Sequence, residues 1–297
     1  MGLALLAGVI YLANPVQLWA KLKQASPWWL LAGLLASIAS NAVSAWRWQS
    51  MARWLGAEMT VASSQRWYFQ AIGLNVLLPG AVVGGDLYRA VALQRTGQPK
   101  AASNLSVILD RISGLWMLCA IGGLGAAICS STLAPWLHIN SVLFSAVLLA
   151  ATIVWLLMPW VLVNGVRKQW LRLPGTWLAP FIEAIQSPSA ARQLWLQALS
   201  SAVVQLLSAA ALACGASAID IWLPLPVWAF AIAPIFLMAA LPMSVGGWGT
   251  RETAAVMALA PFGVAAASAI GVGLLYGVFA LTQGALGALA VGLPSRD

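Results

Sequence analysis

The chain has 297 residues, of which 62% are hydrophobic and only 7% are charged. A soluble domain carries about 25% charged residues, so the composition excludes a protein with a large water-facing surface and indicates a polytopic membrane protein. The net charge of +8 would suggest a nucleic-acid partner in a soluble protein, but the positive-inside rule explains it here, and we expect no nucleic acid.

Six apolar stretches are long enough to cross a bilayer, which takes about 20 helical residues. They are residues 2–19, 28–50, 102–130, 141–163, 192–217 and 264–291. Two further stretches, 65–98 and 226–262, are interrupted in the middle, so that each half is too short to cross. We therefore predict an all-α polytopic membrane protein, a single transmembrane domain over 1–297, with six full transmembrane helices and two re-entrant hairpins of broken helices.

Proline and glycine mark the middle of both interrupted stretches. The predicted breaks fall at Pro79, Gly84 and Gly85 in the first stretch, and at Pro242, Gly246, Gly247 and Gly249 in the second. Matched interruptions in two halves of a membrane protein are typical of inverted repeats with a binding site near the membrane midplane. We therefore predict a 3+3 inverted repeat over about 1–130 and 141–291, although proline and glycine are also common in ordinary membrane helices.

The basic residues predict the orientation. Most of them fall in segments that this arrangement puts on one side, namely Arg47, Arg53, Arg66, Arg89, Arg95, Lys100, Arg167, Lys168, Arg172, Arg192 and Arg296, whereas only Lys21 and Lys23 lie on the other. The positive-inside rule then places both termini in the cytoplasm. It also predicts that 89–100 and 164–191 are cytoplasmic and that 131–140 and 218–225 are external.

Charged and polar side chains accompany both breaks and the span between them. A charge at membrane depth costs about 2.5–3.5 kcal/mol on insertion scales, so it is kept where it forms a pair or has a function. We predict a substrate-binding set consisting of Asn75, Asp86, Arg89, Asp110, Arg111, Ser244, Arg251 and Glu252. The expected pairs are Asp86 with Arg89 or Arg111 and Asp110 with Arg89, and purely structural ion pairing remains the alternative.

Three predicted spans also carry one polar stripe each. The stripes are Ser37, Ser40, Asn41 and Ser44; Ser103, Ser106, Asp110 and Ser113; and Gln197, Ser201, Gln205 and Ser208. They predict either a shared polar interior or ordinary hydrogen bonds between helices. The second half of each hairpin is expected to begin just after its glycines, which would point a positive helix end and free N–H groups into the membrane.

The motifs resemble the lysylphosphatidylglycerol synthase transmembrane region family. The resemblance is carried by Asn75, Pro79, Gly84, Gly85, Asp86 and Arg89, by Ser106, Asp110, Arg111 and Gly114, and by the run from Pro242 to Glu252. It implies a flippase-like protein of the bacterial inner membrane. Bifunctional members carry a separate cytosolic domain that makes an aminoacylated lipid; this sequence shows no such domain, so lysyltransferase activity is not expected. Thr250 stands where the family usually has an aliphatic residue.

We therefore expect a flippase-like transporter that binds and translocates an anionic or aminoacylated phospholipid or a polyprenyl-phosphate lipid. The alternatives are a membrane-embedded enzyme acting on a lipid phosphate, with Asp86 and Asp110 as acid and base, and a regulatory or scaffold protein that binds lipid without moving it. The three cysteines and one histidine lack metal-ligand spacing, so we expect no metal and no cofactor. Besides the membrane lipid, expected partners are further copies of the chain or a separate lipid-modifying enzyme.

Overall fold

The computed structural model describes residue 11 and residues 15–77, 81–170, 176–241 and 246–289. This part of the chain forms α-helices joined by short connections, with two 3-10 turns at Thr176–Leu178 and Ala260–Phe262 and no β-strand. The helices are α1 (Pro15–Lys23), α2 (Pro27–Trp54), α3 (Val61–Leu77), α4 (Ala81–Arg95), α5 (Lys100–Ile128), α6 (Ser130–Trp136), α7 (Ser141–Arg167), α8 (Ala179–Gln186), α9 (Ala190–Ser217), α10 (Leu225–Ala240), α11 (Thr250–Leu259) and α12 (Ala266–Leu289).

Five helices are long and apolar enough to cross a bilayer, namely α2, α5, α7, α9 and α12. They confirm five of the six predicted spans. Most of the remaining span, 2–19, lies outside the described residues, and α1 covers only its last part. The all-helical architecture and the apolar spans make this a multi-pass helical membrane protein.

Both interrupted stretches are divided into two shorter helices, as the sequence predicts. The first consists of α3, with 17 residues, and α4, with 15 residues. The second consists of α10, with 16 residues, and α11, with 10 residues. Each of these helices is shorter than the approximately 20 residues that a crossing requires.

The position of the first break differs from the prediction. Pro79 lies outside the described residues, but α4 already begins at Ala81, so Gly84 and Gly85 lie inside this helix and do not break it. Gly85 instead permits close contact with α3, because a Cβ there would lie 2.4 Å from Asn75 Oδ1 and 2.6 Å from the Ala71 carbonyl oxygen. A glycine pair can therefore mark helix packing as readily as a helix end.

The second break follows its prediction more closely. Gly246, Gly247 and Gly249 have φ angles of +58°, +79° and +86°, and α11 begins at the next residue, Thr250. These angles lie in the left-handed region, which glycine adopts without the steric penalty of a side chain. Pro242 and Ser244 lie outside the described residues.

The two halves of the chain pack against each other in a reciprocal way. The long helices α2 and α9 form an extensive contact at the centre, while α3 packs on α12 and α10 packs on α5. Glycines make the last two contacts close: a Cβ at Gly73 would lie 2.8 Å from the Gly284 carbonyl oxygen, and one at Gly125 would lie 2.3 Å from the Phe230 nitrogen. The first helix of each broken pair thus rests on the last long helix of the other half.

Candidate functional site

Five charged side chains from α2, α4 and α5 form one connected cluster. Asp110 accepts hydrogen bonds from Arg47 Nε at 2.9 Å and from Arg89 Nη1 at 3.0 Å. Asp86 accepts from Arg89 Nη2 at 2.7 Å and also from Arg111 Nε. Each carboxylate therefore bridges two guanidinium groups, and Arg89 links the two carboxylates.

The pairs predicted from the sequence are present. Asp86 and Arg89 are three residues apart, so they share one face of α4. Adjacent helical residues point about 100° apart, so Asp110 and Arg111 have to find separate partners. Asp110 of α5 forms an ion pair with Arg89 of α4, and Arg111 of α5 forms one with Asp86 of α4. These two ion pairs join α4 to α5.

The cluster is buried at one end and partly open at the other. The side chains of Arg47, Arg89 and Asp110 are at most 5% exposed. The side chains of Asp86 and Arg111 are 20% and 34% exposed. Removing one charge from the buried end would leave the remaining charges with fewer ionic partners in a water-poor site, whereas the open end remains accessible to a ligand.

Aromatic rings fix the position of Arg89. Its guanidinium carbon lies 5.0 Å from the ring centre of Trp48 and 4.7 Å from that of Tyr68. The indole N–H of Trp48 donates to Ser106 Oγ at 3.0 Å, which holds that ring against α5. Cation–π contacts of this kind are stronger when the cation is desolvated, as it is here.

Arg47 is the site residue that the sequence reasoning missed. The positive-inside prediction counts it among the basic residues that follow the second span, but α2 continues to Trp54, and Arg47 lies inside this helix with only 3% of its surface exposed. Arg89 is likewise buried within α4, which continues to Arg95. A signal for Arg47 was present, since it continues the polar stripe of Ser40 and Ser44 at helical spacing.

The polar stripes of α2 and α9 face each other. Ser40 Oγ and Ser208 Oγ are 2.9 Å apart, and Arg47 Nη1 donates to Ser201 Oγ at 2.9 Å. Gln205 Nε2 donates to the carbonyl oxygen of Gly114 on α5 at 3.0 Å. The stripes therefore supply hydrogen bonds between helices and also form the wall of a common polar interior.

The charged cluster lines a central cavity of about 300 Å³. Polar side chains form much of its wall, namely Ser40, Asn41, Ser44, Arg47, Tyr68, Asn75, Asp86, Arg89, Asp110, Arg111, Gln205, Ser208 and Tyr276. Three guanidinium groups face two carboxylates among these residues, so the charged groups of the described wall have one positive charge in excess. Such a wall attracts a ligand that carries a negative charge.

Asn75 lies on the cavity wall and joins the two helices of the first broken pair. Its side-chain oxygen accepts a hydrogen bond from the Gly85 N–H at 2.9 Å. This contact requires the close approach that Gly85 allows. The predicted site residue Asn75 is therefore next to the cluster, where it holds α3 against α4.

The second break lies beside the end of α3. A Cβ at Gly246 would be 3.2 Å from the carbonyl oxygen of Val76, one residue before the last residue of α3. Residues about 170 positions apart in the chain therefore meet near the cavity wall, to which α3 contributes Asn75. The second break therefore packs against the end of α3, the helix that precedes the first interruption.

The predicted residues Arg251 and Glu252 form a pair of their own. Arg251 Nη2 lies 2.7 Å from Glu252 Oε1, and the two side chains are at most 4% exposed. Arg251 also stacks on Trp248 at 4.8 Å, beside Gly277 of α12, where a Cβ would lie 2.3 Å from Arg251 Nη2. Neither residue is among the described residues that line the central cavity.

The expected anion site at the start of α11 is not formed. The Gly249 N–H donates to Glu252 Oε2 at 2.6 Å, so the helix is capped by its own carboxylate. The Arg251 N–H donates to the Gly247 carbonyl oxygen at 3.0 Å. The positive end of this helix therefore already has a negative partner, and the prediction of free N–H groups there is wrong.

Comparison with known proteins agrees with this architecture. The model of a family described as the lysylphosphatidylglycerol synthase TM region matches residues 1–287, nearly the whole chain. A search of curated proteins finds no match. The matched region includes the charged cluster, both broken helix pairs and all five long apolar helices. The chain therefore belongs to the lysylphosphatidylglycerol synthase transmembrane region family.

Proposed function

We propose that the central cavity binds the headgroup of an anionic or aminoacylated phospholipid, or of a polyprenyl-phosphate lipid, and that the protein moves this lipid across the bacterial inner membrane. The family match and the apolar helices support a membrane protein related to lipid metabolism. The observation that carries the proposal is the cluster of Arg47, Asp86, Arg89, Asp110 and Arg111 on a cavity wall inside a membrane domain.

The charges of the cluster suit a lipid headgroup better than a purely structural role. Helices can be joined by hydrogen bonds between uncharged side chains, and burying ionised groups costs free energy. Asp86 and Arg111 keep 20% and 34% of their side chains exposed at the cavity. In this proposal, Arg111 donates a hydrogen bond to a phosphate oxygen of the headgroup. Asp86 accepts a hydrogen bond from the ammonium group of an aminoacylated lipid.

Movement of the headgroup is supported by the arrangement of the helices. Broken helices beside a midplane site, contributed by two halves of a chain, are typical of transporters that work by alternating access. Here Gly246 meets Val76 beside the cavity, and α3 and α10 each rest on the other half of the chain. Such reciprocal contacts would allow one half to rock against the other while the headgroup stays near the cluster.

The geometry gives less support to an enzyme that uses Asp86 and Asp110 as acid and base. Both oxygens of Asp110 accept from arginines, and the side chain is only 2% exposed. Both oxygens of Asp86 are likewise held by arginines. A general acid or base needs a carboxylate oxygen within hydrogen-bond reach of the reacting group, and arginines already occupy both oxygens of each carboxylate.

Reconstitution into proteoliposomes tests the proposal. The probes are phosphatidylglycerol and lysyl-phosphatidylglycerol with a fluorescent acyl chain, and the readout is bleaching by a reductant that reaches only the outer leaflet. We expect the wild-type protein to accelerate loss of the protected signal for at least one of these lipids. Arg111→Gln should slow this at least about tenfold, because a hydrogen bond to a charged group contributes about 1.5–3 kcal/mol.

The matched control is Ser113→Ala, two residues along α5. Ser113 donates to the Asp110 carbonyl oxygen but carries no charge, so this variant should transport at close to the wild-type rate. Folding of each variant is checked by its thermal transition. A folded Arg111→Gln protein with full activity would show that the cluster is not on the lipid path, and binding without movement in the wild type would favour the scaffold function.

A further inference from the structure

A second, apolar groove of about 260 Å³ lies between α2, α5, α7, α8 and α9. We call it the α7–α9 groove. Its wall includes the rings of Trp116, Trp160 and Phe181 and the side chain of Met158. Along α5 the lining runs from Leu109 to Trp116, about 10 Å of helix. The groove is almost entirely hydrophobic, which suits an acyl chain.

Two hydrogen-bond donors in this wall have no partner among the described residues. They are Trp54 Nε1 and Gln193 Nε2, and both side chains line the groove. Gln193 is only 8% exposed, and its side-chain oxygen accepts from Ser50 Oγ at 3.1 Å, which leaves the amide nitrogen unused. Buried polar groups normally have partners, so two unused donors in one apolar wall indicate an acceptor supplied by a ligand.

The groove lies at an end of the helix bundle that carries positive charge. Helix α2 ends at Trp54, α7 ends at Arg167 and α9 begins at Ala190. Exposed basic side chains occur around these helix ends, namely Arg53, Arg167, Lys168 and Arg192. An anionic headgroup would find its counter-charges here, with the ester groups of the lipid next to the groove and its acyl chain deeper in the membrane.

A layer of hydrogen bonds lies between the groove and the charged cluster. Ser113 and Gln197 line the groove, and Ser113 Oγ donates to Gln197 Oε1 at 3.3 Å. Gln197 Nε2 in turn donates to the carbonyl oxygen of Arg47 at 3.3 Å. Arg47 lines the central cavity but is not among the described residues of the groove. The two sites are therefore distinct.

We propose that the α7–α9 groove holds one anionic glycerophospholipid of the surrounding leaflet, with its acyl chain in the groove and its ester carbonyl oxygens accepting from Trp54 Nε1 and Gln193 Nε2. Both nitrogen atoms are covered by neighbouring atoms in this conformation, so lipid binding in this proposal requires the two side chains to rotate. This lipid stays bound to the outside of the helix bundle and differs in site from the lipid that we propose is transported.

The test compares ester-linked with ether-linked lipid, because the two have similar shapes and headgroups but only the ester has carbonyl acceptors. The purified full chain is cross-linked in detergent with phosphatidylglycerol that carries a photoreactive diazirine in its acyl chain, and labelled peptides of α7, α8 and α9 are identified by mass spectrometry. Unlabelled diacyl or dialkyl phosphatidylglycerol is the competitor. We expect the diacyl lipid to compete about five- to tenfold better, as one or two net hydrogen bonds predict.

Variants assign this preference to the two donors. Trp54→Phe and Gln193→Met keep most of the side-chain volume and remove the N–H groups. In the double variant, the diacyl and dialkyl lipids should therefore compete equally well against the photoreactive lipid. Trp170→Phe, an exposed tryptophan at the same end of the bundle, should keep the preference. Equal competition in the wild type, or absence of labelling on these helices, would overturn the proposal without the need for any variant.

Labelling in Arg111→Gln separates this proposal from the transport function. Because the groove and the cavity are distinct, the ester preference and the labelling of α7–α9 should persist in that variant even if transport is lost. Loss of this labelling in a folded Arg111→Gln protein would show that the probe reports the central cavity, and the second site would then be rejected.

Discussion

At the residue scale, the buried Arg47 connects the charged cluster to three helices. Arg47 uses Nε for Asp110, Nη1 for Ser201 and Nη2 for the Asp110 carbonyl oxygen, so it connects α2, α5 and α9. A Cβ at Gly114 would lie 3.2 Å from Arg47 Nη2, so the glycine leaves room for the guanidinium group. Arg47 is therefore as much a part of the core as of the site.

We predict that Arg47→Gln destabilises the protein strongly. The substitution leaves Asp110 buried with only Arg89 as its ionic partner, and breaking a buried pair costs about 3–5 kcal/mol. Thermal unfolding of the purified protein in detergent, followed by the loss of helical signal, measures the effect. The expected result is a clearly lower transition temperature.

The matched control for this prediction is Arg53→Gln, because Arg53 is exposed on the same helix. Surface substitutions usually change the free energy of unfolding by less than about 0.5 kcal/mol. If both variants unfolded at the same temperature, the ionic pairing of Arg47 would not be important for stability.

At the element scale, glycines decide which helices approach closely. Gly123 and Gly125 lie close together on α5 but face different neighbours. A Cβ at Gly125 would lie 2.3 Å from the backbone nitrogen of Phe230 on α10, whereas one at Gly123 would lie 2.5 Å from the hydroxyl oxygen of Thr152 on α7. Backbone cannot move without shifting α10, but a threonine side chain can rotate.

We therefore predict that Gly125→Ala lowers the free energy of unfolding by about 1–3 kcal/mol, the usual cost of overpacking. Gly123→Ala should have a much smaller effect. Both changes give the same gain in helix propensity, so the difference in stability between the two variants reports the difference in packing. Thermal stability in detergent measures both variants, and equal loss in the two would contradict the helix contact between α5 and α10.

The broken helices also show what sequence can say about elements. The interruption of 65–98 and 226–262 follows from proline and glycine, and both interruptions are present. The start of α4 does not follow, because the close contact of Gly85 with Asn75 and Ala71 comes from packing against α3. The amino-acid sequence alone does not distinguish a glycine that ends a helix from a glycine that allows close packing inside one.

At the scale of the whole molecule, the packing of the two halves brings the second break against the end of α3. We predict that cysteines at Val76 and Gly246 cross-link with a short bifunctional reagent, because a Cβ at Gly246 lies 3.2 Å from the Val76 carbonyl oxygen. Cys119, Cys129 and Cys214 are first replaced by alanine. If the halves rock during transport, adding the transported lipid should change the yield.

The control pairs Val76 with Gly263. Gly263 also has a positive φ, +76°, so cysteine there meets similar backbone strain of about 1–2 kcal/mol, but no atom lies within 4 Å of its Cβ position. Cross-linking of the control pair as strongly as of Val76 with Gly246 would mean that the contact is not specific.

The orientation in the membrane gives a further prediction at this scale. Helix α7 has 27 residues and spans about 40 Å, so its two ends should lie on opposite sides of the bilayer. Single cysteines at Ser131, near its start, and at Arg167, at its end, are exposed and should react with impermeant reagent from opposite sides, with position 167 in the cytoplasm. Labelling of both positions from one side would reject the predicted topology.

The sequence by itself determined the membrane class, five spans, the two interruptions and the pairs of Asp86 with Arg111 and Asp110 with Arg89. These follow from hydropathy, from helix breakers and from the cost of a lone charge in a membrane, all of which are local properties. The tertiary structure alone decided that Arg47 pairs with Asp110 and Ser201, and that Arg251 is not among the described residues of the cavity wall. Those outcomes depend on which helices come into contact, and a buried arginine or carboxylate takes the partner that packing places nearest.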